Sequence, residues 1–330
     1  MHLQKKSKTE KADSKKTVLL IDSSNLIYAS ASAYSHLSYD GLETGIVYGF
    51  LQKILVLAKQ FKTNEFVFCW DAGNNYRDIY YKDYKKKRKE KSEELTPEEK
   101  EAKKSMFRQS DDLQYKVLPA LGFKNSFVQS WFEADDLLAY WAKELNKKFN
   151  VIMVTSDADM YQCLDYCDIY SLIKKKSFTS EDLKNDFGVF PNQWAMAKAI
   201  GGCDGDGVIG IHGAADPKKK TSKVLKYLQG KLKAGKIYDK IKSAEGKKII
   251  ARNLPVVTLP YMEDKLEPMI YRRNRFKRMN FIQMFDSLKF ESFLKEEKLS
   301  QWEKSFCSKK EVIVEEPKKN RDKKNLRSFF

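Results

Sequence analysis

Histidine is scarce in this chain, with only His2, His36 and His212 among 330 residues. A Ser-His-Asp triad or a histidine-bound zinc centre therefore has little to work with. The five cysteines (Cys69, Cys163, Cys167, Cys203, Cys307) are odd in number and contain no CxxC pair. Cys163 and Cys167 are four apart, but no other cysteine pair completes a zinc site. They read as reduced thiols in a cytosolic compartment, most of them packing residues. No segment approaches ~18 consecutive apolar residues, so no membrane span is expected. Met1–Lys6 and the polar residues after it lack the apolar core of a secretion signal, which makes a cytoplasmic location the expectation. No internal repeat is visible.

What is present is a core and a large positive charge. The chain is 42% hydrophobic and 13% aromatic, and its 62 Lys+Arg against 45 Asp+Glu leave a formal charge of +17. A chain this basic suggests a polyanionic partner, with nucleic acid ahead of an anionic membrane. A solvated lysine-rich surface is the plainer alternative.

Against that background the acids are oddly placed. Three apolar stretches run for several residues and stop at an aspartate: Thr17–Ile21 at Asp22, Phe66–Trp70 at Asp71, and Val151–Ser156 at Asp157. A fourth group, Glu133-Ala134-Asp135-Asp136, opens an apolar helical run. The stretches at 17–21, 65–70 and 150–155 read as buried strands, and 46–61 and 133–149 as helices. Alternating strand and helix argues for an α/β fold with a mostly parallel central sheet flanked by helices. After about Ser177 the pattern turns mainly helical, with helices expected over 178–199, broken by a turn at Gly188–Pro191, and over 221–228.

In such a sheet, chemistry sits beyond the carboxyl ends of the strands, where distant acids converge. Crowded carboxylates repel one another unless a cation lies between them. Mg²⁺ takes oxygen ligands, and two ions roughly 4 Å apart can drive phosphodiester hydrolysis. The candidate metal ligands are Asp22, Asp71, Glu133, Asp135, Asp136, Asp157, Asp159, Asp204 and Asp206. Glu133 and Asp136 share a helix face at i, i+3, while in the irregular first turn Glu133 and Asp135 can still reach one centre. Each motif alone could be a helix cap or a dipole partner. Four in this order are not explained so simply.

From Arg77 to Lys91 there are eight basic residues against three acids, interleaved with Tyr80, Tyr81 and Tyr84. Basic side chains track phosphates and tyrosines stack on unpaired bases, which suits single-stranded nucleic acid. Gly205–Gly213 is glycine-rich, and such a loop lets backbone N–H groups approach phosphates.

Asp22-Ser23-Ser24-Asn25, Phe68-Cys69-Trp70-Asp71, Glu133-Ala134-Asp135-Asp136-Leu137 and Thr155-Ser156-Asp157-Ala158-Asp159-Met160, together with Val47-Tyr48-Gly49-Phe50, follow in an order that resembles the flap endonuclease / 5′-3′ exonuclease superfamily. The resemblance spans about Thr17–Leu228 and is nearest to the phage-type RNase H branch and other phage and bacterial members. It implies a PIN-like 5′-nuclease fold with a helical arch at about 76–108 and a helix–three-turn–helix element after it. The expected organisation is a basic tail (1–16), a nuclease domain (17–177), a helical DNA-binding domain (178–306) and a second tail (307–330).

The resemblance also implies roles. Asp22, Asp71, Glu133 and Asp135 would form a first Mg²⁺ site, with Asp136 near the junction. Asp157, Asp159 and an acid of the glycine-rich segment would form a second, Mn²⁺ being a substitute. Here the chain departs from the pattern, because Cys203 stands where the family usually carries an aspartate, three residues before Asp206. Whether Asp204 or Asp206 serves stays open. Lys85 and Arg88 would act with Asp22 and Asp71 in catalysis, stabilising charge on the scissile phosphate. Arg77, Lys85, Arg88, Tyr84, Gly207, Gly210, Gly213, Lys218, Lys219, Lys220 and Lys223 would bind nucleic acid, and the hairpin would hold a monovalent cation. Lys91–Lys104 would be a mobile arch tip.

The terminal Leu326, Phe329 and Phe330 resemble a sliding-clamp-binding peptide. The expected partners are DNA with a 5′ flap or an RNA primer, a sliding clamp and a single-stranded-DNA-binding protein, the protein itself being a monomer. The expected activity is metal-dependent 5′-3′ exonuclease and flap endonuclease cleavage in replication and repair. The alternatives are a junction-binding protein whose catalysis is weakened and a PIN-type RNA-cleaving nuclease.

Overall fold

Strand β1 (Thr17–Asp22) has no polar face: Val18, Leu19, Leu20 and Ile21 are all fully buried. Such a strand must be covered on both sides, which is the position of a central strand in a parallel sheet. In the computed structural model, which describes residues 15–34, 37–39, 41–215, 217–218 and 222–307, β1 occupies that place. A small antiparallel hairpin, β2 (Ser38–Tyr39) and β3 (Leu42–Glu43), follows it. The main sheet adds β4 (Phe66–Cys69), β5 (Ser126–Phe127), β6 (Asn150–Val154), β7 (Asp168–Ser171) and β8 (Lys176–Phe178), in the order β5-β4-β1-β6-β7-β8. All pairings in it are parallel except the last, β7 with β8. The three strands that end in aspartates are thus neighbours. Their order reverses at β1, and in open α/β sheets ligands bind in the crevice at such a switch point. Strands β5, β7 and β8 escaped the sequence reading because they are short, and β7 and β8 carry polar residues.

Side chains alternate across β1. Leu19 and Ile21 pack with helices α1 (Ser23–Tyr34) and α2 (Gly45–Phe61), whereas Val18 and Leu20 pack with α7 (Ala134–Leu145). Between α2 and α7 in the chain come α3 (Tyr76–Tyr80), α4 (Lys86–Glu93), α5 (Pro97–Asp112) and α6 (Leu118–Leu121). The segment 91–104 comprises the end of α4, a short turn and the first half of α5. Thr96 caps α5 in a reciprocal box with Glu99, and Pro97 fills the first turn, a start signal that costs the helix nothing.

The chain continues through α8 (Ser180–Phe187), α9 (Pro191–Gly201), α10 (Lys223–Leu228), α11 (Lys236–Lys242) and α12 (Ala244–Val257). Ala197, Ile200, Ile211, Val224 and Ile241 give this region a small core of its own. The last helices, α13 (Arg278–Ser287), α14 (Glu291–Leu294) and α15 (Glu296–Phe306), do not extend it. Phe281, Phe285, Phe293, Trp302 and Phe306 join Leu19, Phe50 and Phe66 in the core of the sheet. The C-terminal helices, which the expected 178–306 domain groups with the preceding ones, thus lay their aromatic side chains on the α2 face of the sheet. No described helix is long and apolar enough to cross a membrane. The expectations for 1–14, His36, Lys219, Lys220 and the Leu326, Phe329 and Phe330 peptide lie outside the described residues.

Candidate active site

At the carboxyl edge of the sheet a cavity of about 270 Å³ is lined by Asp22, Asp71, Glu133, Asp135, Asp157, Asp159 and Asp206, with Arg77, Lys85 and Arg88. Seven of the nine predicted acids meet there. Asp136 and Asp204 do not.

Asp22 ends β1 and is held by its neighbours. Its carboxylate accepts hydrogen bonds from the Asn25 backbone N–H at 2.9 Å and the Thr155 hydroxyl at 2.7 Å. Asp71 accepts from the Ala134 backbone N–H at 2.9 Å and from Ser24. These supports lie two or three residues from motif acids but were not singled out in the sequence. Burial pushes the Asp22 carboxyl up to about 6, with Asp71 and Asp157 adding repulsion. Burial also pushes Asp135 well above the carboxylate range, followed by repulsion from Asp22, Asp157, Glu133 and Asp71. Oxygen donors, burial and mutual repulsion together fit a hard divalent cation.

Glu133 and Asp136 cap α7 reciprocally, the Glu133 N–H donating to Asp136 at 3.1 Å. Asp136 then turns inward, fully buried, and takes both Arg77 nitrogens at 2.7 Å. It also accepts the Tyr261 N–H at 2.8 Å. This corrects two expectations at once. Asp136 is a buried partner rather than an open metal ligand, and Arg77, 2% exposed, is a support rather than a nucleic-acid contact. Glu133 stays in the cavity, where it accepts from Arg77 at 3.1 Å, from the Tyr84 hydroxyl at 2.7 Å and from Lys85. Burial alone would raise its carboxyl, but Lys85 and Arg77 more than offset that and hold it low.

Tyr84 is likewise not free to stack on a base. With Tyr81 it is buried against Cys203, Val208 and Val256. Only Tyr80 of the interleaved tyrosines is strongly exposed, at 58%. Lys85 and Arg88 do sit over the acids: Lys85 is ion-paired with Glu133, and the exposed Arg88 reaches Asp206 at 3.1 Å.

The second group of acids differs. Asp159 lies beside Cys203 and Asp206, with donor atoms of all three within 4.8 Å of one another. Between them stands Lys198, 1% exposed, paired with Asp159 and 3.1 Å from the Cys203 sulfur. Lys218 adds a second ammonium, 3.4 Å from Asp159 and 3.9 Å from Asp157. Lys218 was expected on phosphates, and here it faces carboxylates. Burial would raise Asp159, but Lys198 and Lys218 bring it below the ordinary range. Lys198 was missed. Its only signal was a charge inside the apolar run Ala197–Ile200 of α9.

Asp204 is exposed, on the turn that follows Cys203, so Asp206 is the acid that faces the cavity. The glycines have local reasons. Gly207 has φ +71°, and a Cβ there would stand 2.3 Å from the Asp83 carbonyl oxygen. This close approach lets the Lys85 N–H bond the Asp206 carbonyl at 2.8 Å, joining the basic helices to the hairpin. A Cβ on Gly210 would collide with the Gly201–Gly202 backbone at 2.3 Å. Gly213 and Lys223 are exposed.

Fold and site define a class: a doubly covered parallel α/β sheet whose switch point carries a carboxylate centre suited to divalent cations, beneath a basic helical cover. Residues 17–188 match the family model for the 5′-3′ exonuclease, N-terminal resolvase-like domain, and the chain belongs to that family. It is 25% identical over 202 residues to a 5′-3′ exonuclease of Buchnera aphidicola, covering 60% of this chain and 66% of that one. It is 30% identical over 240 residues to the thermostable DNA polymerase I of Thermus aquaticus, covering 71% of this chain and 27% of the polymerase. The match thus spans less than two thirds of these relatives' length. Among solved structures the fold resembles the T5 5′-exonuclease with bound zinc (TM-score 0.63, 19% identity, 84% of this chain and 98% of that one). It also resembles the bacteriophage T5 D15 flap endonuclease in a pseudo-enzyme-product complex with DNA and metal ions (TM-score 0.62, 19% identity, 88% and 99%).

Proposed function

We propose that this chain is a divalent-metal-dependent 5′ nuclease. It binds junctions between duplex DNA and a 5′ single strand and hydrolyses phosphodiesters near the 5′ end, removing 5′ flaps and RNA primers. The observation that carries this reading is the convergence of Asp22, Asp71 and Asp135 on one cavity with Lys85 and Arg88, where Asp22 and Asp135 are pushed towards protonation. Asp22, Asp71, Glu133 and Asp135 would hold the first cation, and their all-oxygen donors favour Mg²⁺. A cation bound there supplies Lewis acidity and makes water acidic enough to attack near neutral pH.

The chain's own residues do the rest. Thr155, Asn25 and Ser24 fix the carboxylates, and Arg77 anchors Glu133 from below. Lys85 and Arg88 place positive charge where the phosphate gains negative charge in the transition state. The exposed Arg88 can leave Asp206 for a phosphate oxygen. The DNA in the structure of the T5 relative supports a DNA substrate.

The test is cleavage of 5′-flap, nicked and RNA-primed substrates with and without Mg²⁺, using wild type and Asp71→Asn. Metal-dependent cutting that Asp71→Asn slows strongly is expected; equal rates for the two proteins would refute the mechanism. Cys203 and the two lysines in the second cluster favour one other reading, a junction-binding protein that cuts weakly. Tight binding without cutting by wild type would establish it. For the C-terminal peptide, deleting Leu326–Phe330 should leave basal cleavage intact and remove stimulation by a sliding clamp.

A further inference from the structure

The second cluster has a donor set that Mg²⁺ does not favour. Its three convergent donors are the Cys203 sulfur and the carboxylates of Asp159 and Asp206, and both acids open onto the cavity that holds the first cluster. The sulfur is 3.0 Å from an Asp206 oxygen and 3.9 Å from an Asp159 oxygen. Mg²⁺ keeps its waters and binds oxygen. Thiolate sulfur instead selects borderline and soft cations. Lys198 raises the contrast, because its ammonium already satisfies Asp159 and lies against the sulfur. A cation entering here must displace that ammonium, and Lys218 and Arg88 from the same carboxylates. Mg²⁺ would do so without gaining a good third ligand, whereas Zn²⁺, Co²⁺ or Cd²⁺ would gain a metal–sulfur bond.

We infer that Cys203 makes the second cation position thiophilic: it takes a borderline or soft divalent cation through one sulfur and two carboxylates and leaves Mg²⁺ to the first cluster. The inference rests on the nuclease reading above, since it concerns the same cavity. On binding, the Cys203 S–H bond breaks, its proton goes to bulk water, and both electrons stay on sulfur to form the metal–sulfur bond. No oxidation is involved.

The probe is Co²⁺ alone, titrated into the metal-free full chain and read by absorption and calorimetry. Wild type is expected to show a sulfur-to-cobalt charge-transfer band in the near ultraviolet. C203S should lose the band and bind Co²⁺ at that position roughly 10–100-fold more weakly, the scale on which supporting partners already matter. Its Mg²⁺ binding should be unchanged. C203D should lose the band and gain a second bound Mg²⁺. The wild-type spectrum tests the proposal by itself should a variant fold poorly. Cobalt binding without a sulfur band, or a band that persists in C203S because another thiol such as Cys307 supplies it, would overturn the proposal and leave the nuclease reading standing. Calorimetry with no heat of binding for either Mg²⁺ or Co²⁺ would overturn both.

Discussion

The cavity holds two acid clusters of similar make-up and opposite electrostatic state. Around Asp22, Asp71 and Asp135 the carboxylates converge on the cavity with mutual repulsion, and Asp22 and Asp135 are pushed towards protonation. Around Asp159 and Asp206 the protein supplies its own cations, Lys198, Lys218 and Arg88. Asp159 is accordingly held below the ordinary carboxylate range, with burial outweighed by the lysines. Proximity of acids is therefore not enough to define a metal site. What counts is the charge left over after the protein's own partners are included: by that measure the first cluster demands a cation, whereas a cation reaching the second must displace the lysines already there.

The largest expected effect concerns the foundation of the first cluster. Arg77→Ala leaves Asp136 buried without its partner and should cost about 3–5 kcal/mol in denaturant unfolding. A cost below 1 kcal/mol would mean that the Arg77–Asp136 pair does not anchor Glu133. Next, Asp71→Asn should lower the cleavage rate by roughly 10²–10³-fold, as loss of one transition-state charge partner does elsewhere. Asp206→Asn should have a smaller effect, and an equal loss would erase the distinction between the clusters.

The third effect is on pH. Burial holds the Asp22 carboxyl at about 6 in the folded chain, against an ordinary value of 3.8. A carboxyl raised on folding stabilises the fold fully below its unfolded value and loses that contribution as pH rises through its folded value. Metal-free wild type should therefore lose on the order of 2–3 kcal/mol between about pH 4 and pH 7 relative to Asp22→Asn. Mg²⁺ at about 100 times its Kd should restore about 2.7 kcal/mol at the upper end. Thermal melts with and without chelator measure both. Asp159 has the opposite sign: its contribution is present above the ordinary carboxylate value and lost only as pH falls through its depressed one. The smallest effect is at Lys223, exposed at the start of α10. Lys223→Ala should weaken DNA binding evenly across sequences and reduce the salt slope by about 1.

Much of the first cluster was legible in the chain. Asp22, Asp71 and Asp157 follow strands whose apolar runs announce themselves, and parallel pairing of β4, β1 and β6 does bring those ends together. The Glu-Ala-Asp-Asp motif was harder. Helical spacing groups Glu133 with Asp136, yet Asp135 enters the cavity and Asp136 goes to Arg77. The reason is the capping turn: Glu133 is the extended residue before α7, so helical spacing does not govern its direction. Tyr81 and Tyr84 were read as stacking platforms because they alternate with lysines, and only the fold reveals the apolar surface of Val208 and Val256 waiting for them. The place of the aromatic helices after residue 278 has no local signal, because they pack against a sheet more than 200 residues earlier in the chain.

By itself the sequence determined the local elements: which runs must be buried strands, where helices begin, which acids follow strands, and that a cysteine stands three residues before Asp206. Those follow from side-chain polarity and backbone preference, which act over a few residues. Only the tertiary structure decided how the charges pair, because that depends on distances between α9, the Asp157–Asp159 loop and the basic helices. Lys198 is an ordinary lysine in the sequence. Buried 3.1 Å from the Cys203 sulfur and paired with Asp159, in surroundings where water cannot screen it, it makes the second cluster a different kind of site from the first.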